Sequence, residues 1–378
     1  MPKVISILEE LISCPSFVDK NNNEEKIIDL IKNKLGQNSK LQIIEQIVEG
    51  KRRNLIVTDN LNPKIILFGH MDTVLPKKQN TNPLSPIKKD GKMFGLGSCD
   101  MKSGLAVMLD IAVNSHQPGV GYIFSVDEEY NFKGATKLKE ISNLHPEVII
   151  NLEPTDLKIL NACRGITEFE LDVYGKSAHA GRKQLGINAI EKSVELINRF
   201  EKICQANDNR DTKTSVNLAY LLGGLDSNEK NEVKIMGNIV PNYAKIVVEI
   251  RIGNKVITKQ FIDMTLEKLA EEFELKITKP QYKFYFGPMF TEKNKLLNFE
   301  EAISMSDLHP TYADVSKAGY YELQQLQEIW GGNCIVFGAT PIEKSHTEDE
   351  YVEIESVLKL KTVIENFIKN YSSRDFNK

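Results

Sequence analysis

The sequence predicts an α/β protein, a largely parallel sheet covered on both faces and interrupted by a smaller α/β sandwich. Short runs of consecutive apolar residues, as in KIILFGHMDT at residues 64–73, read as strands buried on both faces, the habit of parallel sheets. Segments with helical spacing alternate with these runs. From about Gly165 the pattern changes to the order βαββαβ, the split βαβ arrangement of a small sandwich, and after about Lys283 the earlier style resumes. Residues 1–164 and 284–378 are therefore expected to form one discontinuous domain, with 165–283 inserted.

Taken in order, residues 4–12 place Val4, Leu8, Leu11 and Ile12 on one helical face, and Cys14-Pro15 ends that helix. A second amphipathic helix from about Glu24 turns Ile27, Ile28, Ile31 and Leu35 inward, with Gly36 in the stopping position. Residues 41–48 and 54–58 read as strands leading to the one that starts at Lys64. Asp90-Gly91 is a hairpin turn between Ile87 and Met93-Phe94. GLGSCDMKSGLAVMLDIAV is a glycine-rich turn followed by an apolar helix from about Lys102. Residues 121–126 form a strand running into Asp127-Glu128-Glu129, and 147–152 another running into Glu153-Pro154. Within the insertion, 166–174, 215–222, 232–239, 244–252 and 275–277 read as strands, 232–239 pairing with 244–252. Residues 187–203 and 261–273 are its helices. Residues 334–337 form a strand ending at Gly338, His346 follows in the loop, and 352–368 make the closing helix.

A chain of 378 residues suggests about two domains, and 41% hydrophobic with 26% charged residues is ordinary for a globular protein. Its 48 basic and 52 acidic residues give −4 with no long basic stripe, which argues against nucleic acid as the main partner. Lys77-Lys78 and Lys88-Lys89 read as solvated surface. No apolar run approaches the length of a membrane helix. The N-terminus carries Glu9 and Glu10 inside its apolar stretch and has no small-residue cleavage site, so it reads as a helix and not a signal peptide. Five scattered cysteines, Cys14, Cys99, Cys163, Cys204 and Cys334, include no C-x-x-C pair and fit reduced thiols in a cytosol.

The chemistry gathers where strands end, the place where open α/β sheets bind ligands and metals. Gly69 breaks the Lys64 strand, and His70 and Asp72 follow at once. A histidine there can bind a metal through one ring nitrogen while the aspartate holds the other nitrogen or the local turn. Downstream come Asp100, Glu128 and Glu129, Glu153, and His346. Each has a plain reading: His70-x-Asp72 an ordinary polar turn, Asp100 a helix N-cap, Glu128-Glu129 solvated acids, Glu153 a turn residue before Pro154, His346 a surface histidine. Their recurrence at successive strand ends points instead to one cause. Two divalent cations about 3.5–4 Å apart need several oxygen and imidazole ligands, with one carboxylate bridging both. Zinc favours such mixed sets, and one Glu is left over to take and return a proton.

FGHMDTV, GLGSCDMKSGLA, VDEE, EPT, GKSAHAG and a late H-T-x-D-E-Y resemble, in that order, the motifs of the M20 metallopeptidase and deacylase family. The resemblance spans nearly the whole chain. It implies a zinc-exopeptidase-like three-layer α/β/α catalytic domain with an inserted ferredoxin-like dimerisation or lid domain. It implies that His70 and Glu153 bind one metal, that Glu129 and His346 bind the other, and that Asp100 bridges them. Asp72 would orient His70, Glu128 would be the general base and acid, and Asp100-Met101 would be a cis peptide. His179, in GKSAHAG, would steady the oxyanion from across a dimer, the task of a donor aimed at developing charge. Arg164, Asn238 and Arg251 fall where the family holds a substrate carboxylate or the oxyanion, a role suited to bidentate arginine; for Arg251 the plain alternative is a surface strand residue. Asp314, in TYADVSKAGY, resembles a substrate-side loop, but Ala313 stands where the family usually has glycine. Gly338-Ala339-Thr340-Pro341 likewise departs from a glycine-richer G-P-G.

By the same resemblance the protein is a cytoplasmic homodimer that uses two divalent ions, zinc or alternatively cobalt, to hydrolyse the N-acyl amide of a small amino acid. A Glu at position 153 resembles the deacylases, acetylornithine deacetylase and succinyl-diaminopimelate desuccinylase among them, more than the peptidases, which have Asp there. A carboxypeptidase or dipeptidase acting on short peptides is the alternative. A metal-free binding protein of the same fold would have lost a ligand or the base, and none is missing. A dinucleotide site is excluded because Asp100 stands where G-x-G-x-x-G needs its third glycine.

Overall fold

The computed structural model describes residues 2–59, 62–77, 82–141, 143–208, 212–226 and 233–375; Lys78, and position 232 at the start of one expected strand, lie outside these. The chain divides into two compact units, Met1–Asn161 with Phe290–Asp314 and Gln325–Lys378 in one, and Ala162–Met289 with Val315–Gln324 in the other.

The first unit is built on a six-stranded sheet. Ile65–His70 lies in its interior with every residue buried, as its unbroken apolar run requires. It pairs in parallel with Val120–Ser125 on one side and Val148–Asn151 on the other, and Asn333–Val336 extends the parallel set beyond Val148–Asn151. The far side departs from the parallel expectation: Arg52–Thr58 joins Val120–Ser125 antiparallel, and Gln42–Glu49 joins Arg52–Thr58 antiparallel. A tight turn links those two consecutive strands, which only an antiparallel pair permits. The helices Lys3–Ser13, Glu25–Leu35, Ser103–Asn114 and Ile354–Asp375 contribute Leu8, Ile28, Leu105 and Ile364 to one hydrophobic core with Ile65 and Leu67.

Several local expectations need adjustment. Gly36 does cap its helix, but in right-handed conformation with φ −58°. The Asp90-Gly91 turn has φ 50° and 75°, the pair of positive values that a two-residue hairpin of primed type requires. Val352 and Glu353, expected to open the closing helix, lie in the strand Tyr351–Glu353 paired with Lys92–Phe94, so the helix begins at Ile354.

In the second unit, Gly165–Tyr174 alternates buried and half-buried residues and is flanked by Tyr243–Ile252. Ser215–Asp226 pairs with the other side of Tyr243–Ile252. The helices Ala189–Gln205 and Lys259–Glu272 start at side-chain caps, Asn188 accepting from the amides of Ile190 and Glu191 and Thr258 from that of Phe261. They bury Leu196, Phe200, Leu266 and Leu269 with Phe169, Leu171, Ile246 and Val248 in a separate core. Gln281–Phe286 adds a further strand against Gly165–Tyr174, so this sheet runs past Lys283.

The strand expected at 232–239 is cut short. Among the described residues only Val233–Lys234 forms a strand, and it pairs with Leu225 and Asp226 instead of with 244–252. The backbone of 238–240 is used elsewhere: the Asn238 carbonyl accepts from the Ala180 amide at 2.9 Å, and the Val240 amide donates to the Ala178 carbonyl at 2.8 Å.

Candidate metal centre

Parallel register sets the strand ends of the first unit side by side. His70 stands opposite Ser125, and Phe68 opposite Asn151. Past those pairs the ladder continues for one bond each way, the Met71 amide donating to Ser125 at 2.8 Å and the Leu152 amide to Phe68 at 3.1 Å. The loops that follow are thus held where they leave the sheet. The Asp100 loop is brought in by its helix, whose Gly104 packs on the Leu152 backbone; a Cβ there would lie 2.4 Å from the Leu152 carbonyl oxygen. Only glycine permits that approach.

The six expected residues converge. His70 Nε2 lies 3.1 Å from Asp100 Oδ1 and 4.0 Å from Glu128 Oε2, and His346 Nε2 lies 2.9 Å from Glu129 Oε1 and 3.5 Å from Asp100 Oδ2. Ligand atoms fall within 4.8 Å of one another in the groups His70–Asp100–Glu153, Asp100–Glu129–His346 and His70–Glu128–Glu129. The first two share Asp100. Asp100 is therefore no N-cap: Lys102 precedes the first residue of the helix, Ser103, and the Asp100-Met101 peptide is cis.

Asp72 meets the ring and the local turn through different groups. His70 Nδ1 faces the backbone carbonyl of Asp72 at 3.1 Å, whereas the Asp72 carboxylate stays 3.7 Å from that nitrogen. The carboxylate instead accepts from the amides of Glu128 at 3.2 Å and Glu129 at 2.9 Å, so one residue fixes the ring and the acidic turn together. Histidine pairing to a carbonyl in this way leaves the other nitrogen free to bind a metal.

The electrostatics follow from crowding. Burial disfavours a charged His70, but Asp100, Asp72 and Glu128 outweigh it and hold the ring well above its ordinary value. Burial also opposes ionisation of Asp72, yet His70 and the two amides keep it low. Burial and the nearby Asp100 charge push Glu129 up, although His346 pulls against them, and the hydrogen bond to Glu129 raises His346. Carboxylates packed this closely repel each other unless cations sit among them, and the donor types suit zinc-like ions.

Several supporting residues were not singled out in the sequence. Asn151 is fully buried and donates to Glu153 Oε1 at 2.9 Å. Tyr130 donates to the Thr73 carbonyl and accepts from the Val18 amide, tying the two loops together. Buried Arg52 donates to both oxygens of Glu24 and, at 2.6 Å, to Asp127, which has φ 72° and immediately precedes Glu128. Glu350, inside the H-T-x-D-E-Y motif, is buried, and that burial pushes it up to about 7. Arg52 and Glu24 carried no periodic signal. Glu350 and Asn151 stood inside or beside motifs and were legible only as neighbours.

The remaining candidates belong elsewhere. His179, Arg164, Asn238 and Arg251 are in the second unit, where an isolated bridge joins His179 to Ile239 and sets the GKSAHAG and GNIVPN loops together. His179 is exposed, and its Nδ1 accepts from the Gly181 amide at 3.1 Å, which places the proton of the neutral ring on Nε2. Arg164 Nη2 donates to the Ser316 carbonyl at 3.3 Å, and Arg251 Nε to Glu249 at 3.0 Å along the same strand face. Asp314 ends a segment of the first unit and is exposed, next to Ala313, whose amide donates to Ile159.

Residues 66–370 match the Peptidase family M20/M25/M40. The chain is 26% identical to an acetylornithine deacetylase of Buchnera aphidicola subsp. Schizaphis graminum, with 98% of each chain covered. It is also 26% identical to a succinyl-diaminopimelate desuccinylase of Buchnera aphidicola subsp. Cinara cedri, over 97% of this chain and 98% of that one. Among solved structures it resembles aminopeptidase PepT of Bacillus cereus, with a TM-score of 0.71, 19% identity and 98% of both chains covered. It also resembles the YXEP protein of Bacillus subtilis, described as a dinuclear metal binding peptidase, with a TM-score of 0.68, 16% identity and 96% of both chains covered. No described helix is long and apolar enough to cross a membrane. With the motifs in order and the match running over most of its length, the chain belongs to the M20/M25/M40 peptidase family and is a hydrolase of amide bonds.

Proposed function

We propose that the protein is a two-metal amidohydrolase that removes the acyl group from a small N-acyl amino acid, in the manner of acetylornithine deacetylase or succinyl-diaminopimelate desuccinylase. The observation that carries the proposal is the place of Asp100 in two ligand groups at once, with His70 and Glu153 on one side and Glu129 and His346 on the other. That arrangement is what a bridging carboxylate provides, and Glu128 stands outside both of those groups, 4.0 Å from His70 Nε2. When bound, a pair of divalent cations, zinc or alternatively cobalt, polarises the amide carbonyl and acidifies water. Glu128 takes the proton of the attacking water and delivers it to the leaving nitrogen. Asp72 holds the Glu128-Glu129 turn by its amides and so aims that carboxylate. His179 donates from Nε2 to the developing oxyanion, supplied across a homodimer whose contacts the inserted domain provides. Arg164, Asn238, Arg251 and Asp314 bind the substrate. Cysteines that form no disulfide, four of them buried, support a cytoplasmic setting.

Glu at position 153 favours deacylation, while the structural likeness to aminopeptidase PepT favours the second reading, cleavage of short peptides. A hydrolysis screen separates them. Chelated protein is supplied with zinc or cobalt and offered N-acetyl, N-succinyl and N-formyl amino acids beside dipeptides. Release of amine from an acyl substrate supports the deacylase; turnover of dipeptides alone overturns it in favour of a peptidase, and no metal-dependent turnover of any amide overturns both.

A further inference from the structure

Glu350 is a buried acid close to the cluster that belongs to none of its three ligand groups. Its side chain is 4% exposed, and both its oxygens are spoken for by backbone. Oε2 accepts from the Gly97 amide at 2.8 Å, and Oε1 accepts from the amides of Cys99 at 2.9 Å and Asp100 at 3.0 Å. The Glu350 carbonyl accepts in turn from the Gly95 amide at 3.2 Å. The loop that presents Asp100 is therefore wrapped around one carboxylate. Its tightness depends on Gly97, at φ 75°, where a Cβ would lie 2.6 Å from Thr73 Cγ2.

The other end of this contact matters as much. Glu350 stands four residues after His346 and directly before Tyr351–Glu353, which is paired with Lys92–Phe94 just ahead of the Gly95 turn. His346 sits in a loop with φ 56° and is itself exposed, its ring meeting Glu129 at 2.9 Å. We propose that Glu350 is a positioning residue that locks the Asp100 loop and the His346 segment into one piece, preforming the Asp100–Glu129–His346 group before a cation enters. A carboxylate suits this task because it only accepts, and the three groups facing it only donate. Glutamine would turn an N–H₂ toward an amide N–H and lose at least one of the three bonds.

The inference rests on the two-cation reading, and its test separates the two. Metal-free wild type, Glu350→Gln, Glu350→Asp and, as a control in the same segment, Glu348→Gln are titrated calorimetrically with Zn²⁺. The visible spectrum is followed with Co²⁺, and the thermal midpoint of each metal-free protein is recorded. Wild type and Glu348→Gln are expected to bind two ions. In Glu350→Gln, one of the two sites should weaken by roughly 10–100-fold, the usual effect of losing a partner behind a ligand. Its cobalt band should change intensity while the metal-free midpoint stays close to wild type. Glu350→Asp keeps the charge but shortens the reach and should fall between. Equal affinity and spectrum in wild type and Glu350→Gln would overturn the role of Glu350 alone. Failure of both variants to fold without metal would make Glu350 a general structural residue and overturn it too. A wild type that binds no pair of ions removes the two-cation reading itself.

Discussion

His70 and His179 lie in motifs of similar prominence, yet the protein treats them in opposite ways. His70 is 1% exposed, at the end of a strand buried along its whole length, with each ring nitrogen already facing an oxygen. His179 is exposed on a loop whose order comes from backbone contacts with residues 238–240. The same contrast extends to their neighbours. Around His70, acids are buried or half-buried and are held by amides, by Asn151 and by the Arg52–Glu24–Asp127 triad. Around His179, Asn238 is exposed, while in the same unit Arg251 pairs with Glu249 at the surface. The first region is preorganised, as a site for a tightly bound ion must be; under the proposed function the second meets its partner only once substrate is bound. Preorganised donors stabilise charge without rearranging, whereas exposed ones must first be ordered.

Substitutions sharpen or break that contrast. The largest effect is expected at Glu128, where Glu128→Ala should lower kcat/KM by roughly 10²–10⁴-fold while two ions remain bound. Retained turnover, or loss of a metal by elemental analysis, would transfer the base role elsewhere. Arg52→Ala should follow, costing about 3–5 kcal/mol in urea unfolding, because it leaves Glu24 and Asp127 buried without their cation. A change below about 1 kcal/mol would mean that water replaces the guanidinium there.

His179→Ala should leave stability and metal content alone and depress kcat by roughly 10²–10³-fold, the loss seen when one oxyanion donor is removed. Metal loss in that variant would erase the distinction between the two histidines. The smallest change is expected from Arg251→Ala, within about 0–1 kcal/mol in stability because its ion pair is partly solvent-exposed. Its signature should be a raised KM for substrates bearing a free carboxylate; an unchanged KM would make it a plain surface strand residue.

The framework was largely legible because periodicity is local. Ile65–His70, Val120–Ser125 and Val148–Asn151 fall within a residue or two of their expected limits, since an unbroken apolar run with acids at its end admits few other readings. Expectation failed where distant backbone competes. The strand foreseen at 232–239 lost its partners to Ala178 and Ala180, and residues 351–353 became a strand because Lys92–Phe94 offered an edge. The pairing of Asp72 with the amides of Glu128 and Glu129, rather than through its carboxylate with His70, is likewise a matter of angles that spacing does not carry.

The residue types at the strand ends, and hence the chemistry open to this protein, were set by the sequence alone: each acid or imidazole has a plain structural role by itself, but their recurrence after successive strands points to cation binding. The motif resemblance had already named Asp100 as the shared carboxylate; only the tertiary structure decided which buried groups hold its loop there. Register across a parallel sheet and hydrogen bonds to backbone amides join residues as far apart as Asp100 and Glu350, and no local pattern encodes such a distance.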